Sequence, residues 1–305
     1  MFSRRNLLRL AMTSPVLMGS AMSPASLLKS FSEGSFPVSF KGKEVFDYLT
    51  EQTLQNDWEK LSVSQLMGHV AGLLKGTPYV GHTLELSPDK EICAINFEGL
   101  DCVTFFEDVL DFSRMILLGG RSPEAMLKQI EFTRYRGGKM TDYTSRLHYT
   151  TDWIYDNVKK GVVTSLTESL PGAEIFTQKV GFMTEHPEAY LQLKAHPELI
   201  PIIRKYENKI NDRRSYYLPM DRVADAEHLL RTGDIIGVST TEPGIDIAHT
   251  GIIYKDAHGV AHFMDASSGA DSMKVTLEGP LHTSILWSHR NTGIVVARPL
   301  EPIKA

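Results

Sequence analysis

An α+β fold, with helices from the first half of the chain laid on an antiparallel sheet formed by its last third, follows from three observations. Apolar residues recur at helical spacing over Lys43–Glu59 and Ser62–Leu74, and again at Val103, Phe106, Val109, Leu110 and Phe112. After Arg231 the period changes. Asp234–Ser239, His249–Tyr254, Ala261–Ser267 and Thr292–Arg298 are short segments rich in isoleucine and valine, separated by turns such as Asp256-Ala257-His258-Gly259. Helices first and strands last place the helix that begins near Cys102 against the sheet.

In chain order, residues 1–25 read as an export signal. Paired arginines in Ser3-Arg4-Arg5-Asn6-Leu7-Leu8-Arg9 precede a modestly apolar stretch, Leu10–Met22, and small residues near Gly19-Ser20-Ala21 and Pro24-Ala25 suit cleavage. The pattern resembles a twin-arginine leader and implies a free protein in the periplasm, carried across the membrane already folded. Residues 26–40 read as a linker, and 41–305 as a single catalytic domain. Ser62 is a natural N-cap, Gly76-Thr77-Pro78-Tyr79-Val80-Gly81-His82 a turn, and Glu91–Phe97 a short strand leading to the Cys102 helix. That helix should end at Gly119-Gly120, and Ser122-Pro123-Glu124 should open the next. Ser145-Arg146-Leu147-His148-Tyr149-Thr150-Thr151-Asp152-Trp153 is either a ligand wall, where arginine meets carboxylates and rings stack on sugars, or a half-exposed helix with ordinary aromatics. About 159–231 the chain turns polar and proline-punctuated, as in a largely helical insertion, and its basic run Arg204, Lys205, Lys209, Arg213, Arg214 reads as a solvated face.

With 42% hydrophobic and 23% charged residues in 305, the chain has ample core and none of the bias of disorder or a membrane bundle. Its net charge of −5, or about −8 once the leader's three arginines are lost, gives no electrostatic reason to expect nucleic acid as a partner. Apart from the leader, no apolar run is long enough to span a membrane, so no membrane insertion is expected after its removal.

The chemistry points to Asp101-Cys102, where Asp101 can cap the helix and Cys102 then meets free first-turn amides and the positive end of the helix dipole. Both favour a thiolate, the nucleophilic form. Burial as core filler, or a disulfide to Cys93, the only other cysteine, are the competing fates. A catalytic thiol needs a base and an orienting group. His249 begins one strand and Asp265 lies on the next. They face each other if the hairpin is centred on Ala257, while a centre half a residue later sets His249 against Ala266. A metal site from His249, His258, His262 and Asp265 is the rival chemistry, but the spacing matches no common metal motif. No metal and no cofactor is expected.

Taken together and in order, Pro78-Tyr79, Asp101-Cys102, Gly233-Asp234-Ile235-Ile236, Ala248-His249-Thr250-Gly251-Ile252-Ile253-Tyr254 and Met264-Asp265-Ala266-Ser267-Ser268 resemble the NlpC-type papain-like cysteine hydrolases of bacterial cell-wall turnover. Within them the chain is most similar to the N-acetylmuramoyl-L-alanine-amidase-like branch, from about Ser62 to Pro299. The resemblance implies a papain-like fold, a nucleophile at Cys102, a base at His249 and an orienting residue at Asp265, where the branch more usually carries histidine. It implies a role for the Tyr79 hydroxyl beside the thiolate or oxyanion, and a peptidoglycan or muropeptide substrate cut between N-acetylmuramic acid and L-alanine. Arg146, His148 and Tyr149 are the further candidates for substrate contact. An endopeptidase cutting after D-glutamate in the stem peptide, and a silent binding protein for peptidoglycan fragments, are the alternatives.

Overall fold

The computed structural model describes residues 37–269 and 272–304. The leader of residues 1–25 and most of the 26–40 linker lie outside the described residues. The linker ends earlier than its composition suggests. Val38–Lys41 is a strand, β1, which pairs in parallel with β2, Cys93–Asn96, because Val38 and Phe40 can then pack on the core.

Helix α1, Lys43–Gln55, buries Phe46 and Leu49, and α2, Val63–Leu73, starts at a capping box in which the Ser62 hydroxyl accepts from the Gln65 amide. The central element is α3, Cys102–Leu117. The apolar stripe predicts a helix with one face on the core, yet every residue from Thr104 to Ile116 is buried. Helix α4, Pro123–Arg134, covers the side away from the sheet, and its Arg134 donates to the buried Glu107 of α3 at 2.7 Å. Glu107 also accepts from the Trp153 indole at 2.9 Å, and Thr133 donates to Asp111 at 2.6 Å. Charges that periodicity assigns to solvent thus find partners inside on α4 and on α5, Thr150–Lys159, while one oxygen each of Asp108 and Asp111 is left without a partner among the described residues.

Residues 159–231 combine short helices with three short strands. They hold β3 (Val163–Ser165), β4 (Glu174–Ile175), α6 (Phe182–Glu185), α7 (Leu191–Ala195), α8 (Ile200–Asn211), β5 (Tyr216–Pro219) and α9 (Met220–Ala226). The remaining elements are β6 (Ile235–Thr240), β7 (Ile247–Lys255), β8 (Ala261–Ser267), β9 (Lys274–Pro280), α10 (Leu281–Ser284) and β10 (Asn291–Pro299). Among the described residues they build an eight-stranded sheet, ordered β4-β5-β10-β6-β7-β8-β9 with β3 also on β10, and every pairing in it is antiparallel. The expected strands are present. β9 was not foreseen, since Glu278-Gly279-Pro280 masks its alternation.

The sheet is covered on both faces. Ile235, Ile252, Met264, Ala266 and Val275 join the helices α1 to α4 in one core. Ile236, Val238, Ile253 and Phe263 pack on the other side with Val223 of α9 and Leu281 of α10. Two-sided burial explains why β6 is apolar at consecutive positions. Helix α3 crosses the inner face over β7 and β8, which brings its first residue to the strands that carry His249 and Asp265.

Candidate active site

Asp101 caps α3 as its sequence predicts. Oδ1 accepts from the amides of Val103 at 3.0 Å and Thr104 at 2.8 Å, and the Asp101 amide donates to the Thr104 hydroxyl at 2.9 Å. The cap does not use the amide of Cys102. Two residues that sequence reasoning missed complete the seat. Thr83 donates to Asp101 Oδ2 at 2.9 Å, and Thr250, next to His249, donates to the carbonyl of Cys102 at 2.7 Å. The position of Thr250 inside His249-Thr250-Gly251 was the signal available for it.

The Tyr79 arm is tied to the same place. Its amide donates to the Met273 carbonyl at 2.9 Å, and Pro78 and Val80 exchange backbone hydrogen bonds with Leu100, each 3.0 Å, just upstream of Cys102. Gly99 permits this approach, since a Cβ there would stand 2.4 Å from the Val80 side chain.

His249 and Asp265 meet, but not as direct opposites. β7 and β8 pair Ile252 with Met264 and Lys255 with Ala261, which centres the hairpin on His258 rather than Ala257. The turn is wider than assumed because the Asp256 carboxylate holds it open, accepting from the amides of His258 and Val260 at 2.9 Å each. Continued along that register, Asp265 stands opposite Gly251 and diagonal to His249 on one face of the sheet. A Cβ at Gly251 would lie 2.5 Å from the Met264 carbonyl, so glycine lets the strands close and the diagonal be spanned. The His249 Nε2 and Asp265 Oδ2 are 2.6 Å apart. Phe263 and Trp287 stand edge-on to the imidazole, centroids at 6.1 and 6.0 Å. Nothing in the sequence around Trp287, remote from both strands, marks it for this place.

Electrostatics distinguish the pair from a buried thiol beside a neutral ring. Burial pushes the Cys102 thiol up, but the His249 charge and hydrogen bond outweigh it, and the net pKa is lowered. Burial likewise opposes the imidazolium, yet the Cys102 charge and the hydrogen bond to Asp265 raise His249 to about 10. Each partner stabilises the charged form of the other, so the two titrate as a thiolate–imidazolium unit. With Nε2 on Asp265, Nδ1 is the ring nitrogen left for sulfur.

Both cysteines are free, so the disulfide does not form. Among the described residues no cluster of three or more His, Cys, Asp or Glu side chains is placed to hold a metal. His258 is exposed in the turn, and His262 is partnered by Asp256 and the Glu278 carbonyl. No helix of the described residues is long and apolar enough to cross a membrane.

Arg146 and Tyr149, the candidates for substrate contact, have their polar ends engaged by other residues of the chain. Arg146 is 5% exposed, with Nε and Nη2 on Glu91 at 2.8 and 2.7 Å and Nη1 on Glu85 at 3.1 Å. The Tyr149 hydroxyl donates to Glu207 at 2.8 Å and accepts from the Met183 amide. His148 Nε2 lies 2.8 Å from the Tyr143 carbonyl. The cavity that Arg146, His148 and Tyr149 help to line has about 10 Å³ of free space, which is no more than about one water. These residues brace the 84–91 loop and residues 182–207 against α5, and it is Cys102, His249 and Asp265 that the fold gathers.

The model of the AmiA-like family, described as N-acetylmuramoyl-L-alanine amidase-like, matches residues 69–286, well over half of the chain and spanning Cys102, His249 and Asp265. The chain belongs to the N-acetylmuramoyl-L-alanine amidase-like family. An N-acetylmuramoyl-L-alanine amidase from Bacteroides uniformis is similar in structure, with a TM-score of 0.71 and 33% identity over 78% of this chain and 99% of that one. A Bacteroides fragilis protein provisionally called a xylanase scores 0.67 at 33% identity, covering 75% of this chain and 98% of its own. A Legionella pneumophila protein at 20% identity shares the fold, with a TM-score of 0.64 over 86% of this chain and 97% of that chain. No match was found among curated proteins. The amidase-like family thus accounts for both the helical layer and the sheet that meet at Cys102.

Proposed function

We propose that this chain is a cysteine amidase of papain-like build that hydrolyses the bond between N-acetylmuramic acid and L-alanine in peptidoglycan or its fragments. The observation that carries the reading is the Cys102–His249–Asp265 array, with the thiol shifted down and the imidazole up. Membership of the amidase-like family supplies the substrate class. The leader-like pattern of residues 1–25 supports a periplasmic location in this reading, where that substrate lies.

The thiolate attacks the lactyl carbonyl carbon, forming a C–S bond and a tetrahedral oxyanion. In this reading the Cys102 amide and the Tyr79 hydroxyl are the donors to the forming oxyanion. His249 gives its proton to the departing nitrogen, because an amine anion is too basic to leave, and the C–N bond breaks. Neutral His249 then takes a proton from water, whose oxygen displaces the sulfur and releases the lactyl carboxylic acid. Asp265 keeps the ring in place and stabilises its cation throughout.

The test is incubation of the mature protein and its Cys102→Ala variant with a defined disaccharide-tetrapeptide, read by mass. The expected products are the free disaccharide and a peptide beginning with L-alanine, from the parent alone. Cleavage after D-glutamate would transfer the reading to an endopeptidase. Binding without cleavage by protein with a titratable thiol would replace it with a fragment-binding protein.

A further inference from the structure

Two aromatic rings flank the His249 imidazole, and they differ in depth. Phe263 of β8, with its ring centroid 6.1 Å away, is 1% exposed and belongs to the core that α9 and α10 cover. Trp287, at 6.0 Å, packs against that core from its edge and is only half-buried. Asp265 occupies Nε2, and Nδ1 is the nitrogen left for sulfur. The imidazole keeps 12% of its surface exposed, and of its two ring neighbours only Trp287 is open to solvent. A substrate that reaches His249 therefore passes Trp287.

Trp287 stands on a connection held at both ends. Ile285, just after α10, is fully buried, and its carbonyl accepts from the Asn291 side chain at 2.7 Å, which closes the turn that carries Trp287. Within that turn the Asn291 amide donates to the Ser288 carbonyl at 3.1 Å. The Thr241 amide donates to the Arg290 carbonyl at 2.9 Å, and the Arg290 guanidinium meets Glu242 at 3.1 Å. A ring already fixed in this way loses little freedom when a ligand comes against it.

The reaction decides which half of the substrate meets the ring. His249 gives its proton to the departing nitrogen, which must come within about 3 Å of the imidazole. The acyl half stays on the sulfur, so the imidazole and its exposed neighbour face the amine half. The α-carbon and side chain of the departing residue lie one and two bonds beyond its nitrogen. With 6.0 Å between the imidazole and indole centroids, those atoms fall within contact of the indole. An indole suits a methyl group, and it offers no compensation to a side chain that must shed bound water.

We propose that Trp287 is a specificity-determining residue: its indole is the apolar wall against which the methyl group of the first stem-peptide residue, L-alanine, packs while the amide nitrogen is aligned with His249. The inference rests on the amidase reading of the site. Trp287 moves no proton and makes no bond to the substrate. It selects the amine half, and the thiolate does not depend on it.

The mature chain, Trp287→Ala and Trp287→Phe are compared on two disaccharide-tetrapeptides that differ only in carrying L-alanine or glycine next to the muramic acid. The parent should prefer the alanyl substrate by about tenfold in kcat/KM, as one methyl group in an apolar contact allows. Trp287→Ala should bring the preference to within about twofold, chiefly by loss on the alanyl substrate, and Trp287→Phe, which still packs on the core, should fall between. Iodoacetamide should alkylate Cys102 in both variants within about twofold of the parent rate, which reports a folded site and an intact ion pair. No preference in the parent, or an undiminished one in either variant, would overturn the proposal. So would alkylation that falls in step with turnover, since Trp287 would then act through the imidazole. If the parent releases no L-alanine-led peptide, the amidase reading falls, and calorimetry on Cys102→Ala protein decides for Trp287 alone. Tighter binding of the alanyl-led tetrapeptide than of its glycyl-led analogue, lost on adding Trp287→Ala, would support the wall, and equal binding or none would remove it.

Discussion

Cys93 and Cys102 lie nine positions apart in one chain and are chemically opposite. Cys93 sits in β2, 3% exposed, with the Leu127 carbonyl 4.0 Å from its sulfur, and burial outweighs the opposing charge of Arg134 and pushes its thiol up to about 12. Cys102 also feels burial as the largest influence on its thiol, in the same direction, yet its net shift is downward. The difference is not solvent access alone. Cys93 is in a strand between apolar neighbours, whereas Cys102 opens a capped helix with an imidazole brought to it by another strand. Arg134 acts on Cys93 by charge alone, whereas at Cys102 the His249 charge is joined by hydrogen bonds from His249 and Thr250, which the sheet supplies some 150 residues later in the chain.

The largest effect expected from this contrast is in alkylation of the native protein. At pH 7 a thiol with a pKa of about 12 is ionised to about one part in 10⁵, so iodoacetamide should label Cys102 and leave Cys93 untouched, as peptide mapping by mass would show. Cys93→Ala should leave the labelling rate unchanged. Labelling of Cys93 at a comparable rate in folded protein would dissolve the distinction.

Next in size is removal of the negative charge that holds His249. The reactive pair exists between the lowered pKa of Cys102, below which the thiolate is protonated, and the raised pKa of His249, about 10, above which the imidazolium is lost. The rate against pH should therefore be a plateau bounded by these two, with its alkaline limb near the latter value. Asp265→Asn withdraws the negative charge that helps raise His249 and leaves a neutral carboxamide in its place, so the alkaline limb should move to lower pH. With Cys102 deprived of a stable counter-ion, its acid limb should move up. The plateau narrows from both sides, and its height should fall about a hundredfold or more. An unchanged alkaline limb would remove Asp265 from the triad.

The same contrast shows what a sequence can disclose. Asp101-Cys102 before an apolar stripe announces a capped nucleophile, because an N-cap is a local device whose parts are adjacent in the chain. His249 and Asp265 were legible as residue types on neighbouring strands, but their register was not, since it depended on the Asp256 side chain setting the width of the turn. Long-range ion pairs were invisible. Arg146 reads as a ligand contact until Glu85 and Glu91 are found beside it, 61 and 55 positions away. The burial of Glu107, Asp108 and Asp111 on α3 was hidden for the same reason, as Arg134, Thr133 and Trp153 come from other helices. The strands β3 and β5 are too short for periodicity to reveal, and they are set by pairing with β10.

The smallest effect, and the one that most finely separates the two cysteines, belongs to Thr250. Its hydroxyl spans from β7 to the Cys102 carbonyl at 2.7 Å and also favours the thiolate. Thr250→Val is close in shape and removes that donor from a side chain only 1% exposed. The loss of one hydrogen bond in such a place costs about 1 kcal/mol, which is about a fivefold change in an equilibrium. The expected result is a small upward shift of the Cys102 thiol and a fall of a few fold in its alkylation rate at neutral pH, with the His249 limb unmoved. Because α3 is anchored along its whole length by buried contacts, the helix itself should stay in place and Cys93 should stay inert. A variant that instead lost the thiolate altogether would mean that the strand, and not the imidazole it carries, is the principal support of the charge on Cys102.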